Sequence, residues 1–213
     1  MEILLFRLEG VMQSWGELAK WDYRSTELFP SKSGIVGMIA AAMGLQRGDV
    51  RIQELCKKIT IGIRADRAGE VRTDFQTVSS NTILNAKGEK RSGGNTIITP
   101  KSYLFDASFL VAVTADSHAL RDCLEALDNP VWPVYLGRKC CTPNIPVLGK
   151  ITTEYDSIID ALNSEPLIER HDEEVFIQVD GTETQRFDVI IDSSKRHFTR
   201  RGVNTLLHET KGM

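Results

Sequence analysis

The sequence predicts an α+β protein, and three observations carry that prediction. Short apolar strands alternate with helical segments over the first two thirds of the chain, a capped small-residue helix opens near position 33, and a polar excursion interrupts the pattern between 73 and 101. Strand periodicity marks Glu2 to Leu8. A helix follows from about Ser33 to Met43: Pro30 disfavours helix at Phe29, Ser31 or Ser33 caps the first turn, and Gly44 ends an Ala-rich body. A second helix is expected from about Val50 to Lys58, then alternating strands at Thr60 to Ala65 and Val71 to Val78. After the excursion come Thr96 to Thr99, Leu104 to Thr114, a helix from Ser117 to Leu127, and a strand from Val131 to Leu136. Read in order, this is βαββαβ, the ferredoxin-like (RRM-like) plan in which helices cover one face of a four-stranded sheet. Weaker strands at Glu174 to Val179 and Phe187 to Ile191 predict a small C-terminal β-rich lobe. The expected division is a domain over 1–150, with a hairpin at about 73–101, followed by a lobe and basic tail over 151–213.

Bulk properties narrow the class. A chain of 213 residues holds one full core and a small appendage. It contains no run of eighteen apolar residues, so no membrane span is expected. The start enters a strand at once, unlike a secretory signal, and a cytoplasmic location follows as the expectation. Cys56, Cys123, Cys140 and Cys141 lack C-x-x-C spacing, which predicts reduced thiols and no zinc site. No metal or other cofactor is expected, since the adjacent acids Asp172, Glu173 and Glu174 point different ways.

The net charge of -3 conceals an uneven distribution. Between Glu154 and Asp188, eleven acids face only Arg170 and Arg186, whereas between Ser193 and Met213 five cations face Glu209 alone. That asymmetry suggests one surface for phosphates and another for solvent or a basic partner.

Four short stretches supply candidate anion and base contacts. At the helix start, Lys32, Ser33 and Gly34 place a cation beside free backbone N–H groups and a favourable dipole, although an ordinary core helix has the same appearance. Gln13, Ser14 and Trp15 follow the first strand, and the indole either stacks on a base or anchors the core. Arg24 either clamps phosphate with Lys32 and Ser33 or joins a surface ion pair. Gly137, Arg138 and Lys139 form a basic turn whose glycine permits close backbone approach. Within the excursion, Asn81, Asn85, Gly88 and Gly93 mark turns, and Lys87, Lys90, Arg91 and Lys101 outnumber Asp74 and Glu89. A projecting hairpin is expected there, with Phe75 at its base and Ile97 or Ile98 on its return limb; its bland alternative is a flexible loop without a partner.

Leu8-Glu-Gly-Val-Met-Gln-Ser-Trp-Gly16, the Ser-Lys-Ser-Gly helix start, Tyr103 to Val113, and Tyr135-Leu-Gly-Arg-Lys-Cys-Cys-Thr-Pro143 occur in an order that resembles the subtype E form of the fifth CRISPR-associated protein family. The resemblance covers about residues 1–150 well. It implies a non-catalytic subunit of Cascade that grips the 5′ handle of the guide RNA and caps one end of the backbone filament. The implied partners are the guide RNA, a Cascade backbone subunit and the large subunit, with target DNA met only through the assembled complex. The hairpin would be a thumb that crosses the RNA and leans on a backbone subunit. Cys140-Cys141-Thr142 departs from the family's small residue, cysteine and proline run after the basic motif, which puts the shape of that turn in question.

Two other readings stand beside this one. A guide-RNA endoribonuclease would assemble Tyr103 or Tyr135, Lys101 and a tail histidine around the 2′-hydroxyl. Against it, none of His118, His171, His197 and His208 falls in the motifs above. A pure scaffold would use Lys195 to Arg201 to hold protein, with incidental RNA contact.

Overall fold

The computed structural model describes residues 1–16, 23–85, 87–90 and 96–209. Over these residues it is a mixed α/β structure with two antiparallel sheets and four helices. Strand β1 (Ile3–Glu9) and strand β6 (Ser108–Thr114) are near-continuous apolar runs because both of their faces are covered. Leu4, Phe6, Leu8, Phe109, Val111 and Val113 enter the larger core, while Ile3, Leu5, Leu110 and Ala112 enter a smaller core on the opposite face. Helices α1 (Lys32–Ala42), α2 (Val50–Lys58) and α3 (Ser117–Asp128) bury their apolar stripes in the larger core. Helix α4 (Ile158–Ser164) covers the other side, where Gly62 lets Ile158 and Leu162 lie directly on the sheet. The expectation of helices on one face alone is thus corrected by α4.

The six-stranded sheet runs β7-β1-β6-β3-β8-β9, with β3 (Thr60–Arg67), β7 (Gly149–Thr152), β8 (Phe176–Asp192) and β9 (His197–Leu207). Residues 151–213, expected as a small lobe, supply β8 and β9. These lengthen the same sheet by pairing Ile63 with Gln178 and Ala65 with Phe176. Between β3 and β6 the chain leaves the sheet as a ribbon of β4 (Glu70–Ser79) and β5 (Thr96–Phe105), paired from Glu70↔Phe105 to Ser79↔Thr96. Short strand β2 (Met12–Gln13) joins it through Phe105 and Leu104. The expected single strand from 104 to 114 breaks at Asp106, whose φ of 56° turns the chain from one sheet into the other.

One sequence-based strand fails. Residues 131–136 are irregular, because Pro130 and Pro133 withhold ladder donors, and β7 pairs with β1 instead. That segment fastens elsewhere: Val131 N–H donates to Ala42 O at 2.8 Å, and Leu136 O accepts from Ser14 N–H at 3.0 Å. The basic turn is thereby laid against the loop after β1.

Candidate nucleic-acid interface

The loop after β1 is a wall, and its polar atoms are committed inside it. Gln13 is fully buried; its amide nitrogen donates to Leu8 O and Ala107 O, and its oxygen accepts from Trp15 Nε1–H at 2.9 Å. Trp15 is 1 % exposed and packs over the first turn of α1, where a Cβ on Gly34 would stand 2.9 Å from the indole Cε3. The arrangement gives Trp15 the core-anchor role, and Gln13 reads as its brace rather than a base reader. Ser14 is buried as well, with its backbone against Gly137.

Gly137 has φ +95°, and a Cβ there would meet Ser14 O at 1.8 Å. Its close approach is to the protein's own chain. Arg138 beside it stacks over the Tyr103 ring at 4.6 Å and donates to the carbonyls of Ser102, Arg24 and Ser25 at 3.0, 3.1 and 3.2 Å. The guanidinium therefore ties the basic turn to β5 and to the Arg24 segment. That segment is also bonded to β5, through Arg24 N–H to Pro100 O and Ser102 N–H to Arg24 O. Lys139 is exposed and lies outside the cavity described below.

At the start of α1 the expected free donors are occupied. Ser31 is the cap and accepts from Gly34 N–H, whereas Lys32 N–H donates to Asp188 Oδ2 at 2.8 Å. Lys32 is only 7 % exposed, and the anion at this helix start is the protein's own carboxylate. Burial pushes the Asp188 carboxyl up, but Arg201, the Lys32 N–H and Arg186 more than reverse this and hold it below the usual carboxylate range. Arg201 grips Asp188 with two nitrogens at 3.0 and 2.7 Å and Asp180 with a third. Arg186 donates to Pro30 O, Phe29 O and Gln178 Oε1. Local sequence held no sign of this network, because Asp188 lies 156 positions from Lys32.

Among these braces lies a cavity of about 510 Å³. Its back is the small-residue face of α1, Ser33, Gly34, Gly37, Ala40 and Ala41, which recur at helical spacing. Leu45, Ile52, Ile190 and Phe198 make an apolar floor. Its rim carries Ser14, Ser25, Ser31 and Ser193 together with Arg24, Arg47, Arg138 and Arg196. The structure thus brings together Ser14, Trp15, Arg24, Ser33, Gly34, Gly137 and Arg138, and leaves Gln13, Lys32, Lys101 and Lys139 off the lining. Arg47, Ser193 and Arg196 escaped the sequence reading. The excess of cations after Ser193 was the available signal, but nothing in it showed that the β8–β9 turn folds back onto α1.

The β4–β5 ribbon contrasts with this braced site. Phe75 is 67 % exposed and Ile98 49 %, on one face of the ribbon; Ile97 is half-buried on the other face, opposite Val78. Lys87 and Lys90 are exposed at the tip, where the Asn85 side chain accepts from Lys87 and Glu89 N–H. Arg91 lies outside the described residues. Lys101 donates to Gln76 Oε1 along the ribbon. Tyr103 is buried near it. Burial first, then the Cys140 thiol that donates to its oxygen, pushes the phenol up despite Arg138. Among the described residues no histidine bonds to Tyr103 or Lys101, and no group of three or more His, Cys, Asp or Glu is placed to hold a metal.

An antiparallel-sheet protein with a cation-rimmed cleft and a projecting ribbon is the class that fold and site define. The chain belongs to the CRISPR-associated Cas5 family, whose model, described as "CRISPR-associated protein (Cas_Cas5)", matches residues 3–204. It is 33 % identical over 176 residues to the CRISPR system Cascade subunit CasD of Escherichia coli (strain K12), across 77 % of each chain. A solved chain of a CRISPR RNA-guided surveillance complex matches with a TM-score of 0.82 and 33 % identity, over 97 % of this chain and 90 % of that one. A crystal structure of a Cas protein matches with a TM-score of 0.74 and 27 % identity, over 98 % and 96 %. The resemblance carried by the four motifs is accordingly to the right family. No helix among the described residues is long and apolar enough to cross a membrane.

Proposed function

We propose that the chain is a non-catalytic, cytoplasmic subunit of a Cascade complex that binds the 5′ handle of the guide RNA and caps one end of the backbone filament. The observation that carries this reading is the cavity, in which an apolar floor and small-residue back meet an arginine and serine rim. Single-stranded RNA is recognised by splayed bases against apolar or aromatic surface and by cations on its backbone, and this cleft offers both. The four strands β7-β1-β6-β3 with their crossing helices read as a ferredoxin-like unit over 1–150, to which 151–213 adds the ribbon that closes the cleft. Arg24 and Ser33 are the sequence-predicted residues best placed to touch RNA; Arg138 serves it by fixing the rim. The β4–β5 ribbon, with its bare Phe75 and Ile98, fits a thumb set against the backbone subunit, and the large subunit would meet another surface of the cap.

The test is affinity for labelled 5′ handle RNA against a scrambled RNA of equal length at two salt concentrations. Handle preference is expected, with a logarithmic salt slope of about 0.7 per phosphate contact. Equal affinity for both RNAs, for the chain alone and within reconstituted Cascade, would overturn the reading. Incubation with repeat RNA in chelator should leave it intact.

A further inference from the structure

Two arginines at the cavity come from elements that the four RNA-contact motifs do not include. Arg47 stands in the connection between α1 and α2, and Arg196 in the turn between β8 and β9. Their elements are joined: Gly48 N–H donates to Ser193 Oγ at 3.2 Å, and the Gly48 backbone lies against Ser194. The β8–β9 turn is itself set by Asp192, whose carboxylate accepts from Ser194 N–H, Ser194 Oγ–H and Lys195 N–H. Arg196 holds a φ of 53° within it. Two other cations nearby are committed, Arg138 to carbonyls and a ring, Arg201 to two carboxylates. Among the described residues, the side chains of Arg47 and Arg196 make no hydrogen bond or ion pair, and both are exposed at the rim. Leu45, Ile52 and Phe198 line the same cavity.

We propose that Arg47 and Arg196 form a second phosphate clamp on the far lip of the cavity, holding one nucleotide of the guide RNA whose base rests on the Leu45, Ile52 and Phe198 floor. This rests on the guide-RNA reading above. A guanidinium pair approaching from two elements suits a phosphate, to which each donates a charge-assisted fork. A cleft of about 510 Å³ suits one small ligand, not a run of nucleotides. The β8–β9 turn thereby becomes part of the RNA site, and the basic character of the C-terminal segment gains a use at Arg196.

The experiment measures handle-RNA affinity for the native chain, for Arg47→Ala/Arg196→Ala, and for Arg24→Ala as a marker of the first lip. It uses a set of RNAs that carry a neutral methylphosphonate at each handle position in turn. The double variant should lose about 10–100-fold in affinity and show a salt slope shallower by roughly 0.7 for the one phosphate released. One methylphosphonate position should weaken the native chain and leave the double variant unaffected. Arg47→Lys/Arg196→Lys, which keeps charge but not the fork, should recover part of the loss. Native affinity and slope in the double variant, alongside a loss for Arg24→Ala, would overturn the clamp and leave handle binding standing. Failure of the native chain, alone and in reconstituted Cascade, to prefer handle RNA would overturn both.

Discussion

In and around the cavity, several of the cations and rings that look free in the sequence are spent on the protein itself: Arg138 on three carbonyls and Tyr103, Arg201 on Asp188 and Asp180, Trp15 on Gln13 and the first turn of α1. Along the β4–β5 ribbon, Phe75, Ile98, Lys87 and Lys90 stand exposed. A basic or aromatic residue in a motif is therefore poor guidance to a contact unless its hydrogen bonds are counted. Candidates for RNA at the cavity are the cations left over, and candidates for a protein partner on the ribbon are the apolar side chains left bare.

That contrast predicts a gradient of stability effects. Asp188→Asn should be the most damaging, at about 3–5 kcal/mol near pH 7, because it removes the buried carboxylate that takes two of the Arg201 nitrogens and leaves that buried guanidinium only the half-exposed Asp180. The folded value of Asp188 lies below its ordinary 3.8, so its contribution is fully present above that value and is lost as pH falls through the folded one. Denaturant unfolding should show the gap between native and variant closing below about pH 4. A constant gap across that range would place the loss in packing and weaken the electrostatic reading.

Gly137→Ala comes next, at about 2–4 kcal/mol, from a positive φ and a collision with Ser14 O. Thermal unfolding checks it; a neutral effect would mean that the basic turn is not anchored where it lies. Arg138→Ala should cost about 1–3 kcal/mol from lost carbonyl bonds and ring stacking. Arg138→Lys should not restore it, since an ammonium lacks the planar fork. Full rescue by lysine would mean that only its charge matters.

Phe75→Ala and Ile98→Ala mark the other end, within about 0.5 kcal/mol of the native chain. Their effect should appear only in assembly, as reduced co-elution with Cascade backbone subunits. If either variant unfolds as readily as Asp188→Asn, the ribbon is a structural part and the contrast collapses.

Much of the fold was legible because it is local. Helix α2 spans Val50–Lys58 as its pattern predicts, and α1 begins one residue before the expected Ser33, capped by Ser31. The ribbon followed from turn residues and alternation. What stayed hidden was long-range: β7 gave too short an apolar signal at four residues, and β8 carries polar residues through its middle. The acidic stretch read as a surface for solvent or a basic partner, yet Asp188 and Glu165 are buried, and Asp172 accepts from Ala68 N–H. The site was half legible: the Ser33, Gly34, Gly37, Ala41 face is a helical repeat. The commitment of Gln13, Lys32 and Arg138 to the protein's own backbone appears only once distant segments meet.

The most direct measurement is photocrosslinking of handle RNA that carries a reactive nucleoside at each position in turn, bound in reconstituted Cascade, with the attachment sites mapped by mass spectrometry. Crosslinks should gather on residues 24–25, 33–47 and 193–198 around the cavity, with thumb contacts as a separate group. Crosslinks confined to the ribbon or to the sheet face beneath α4, with none at the cavity, would contradict the cavity as the seat of RNA binding.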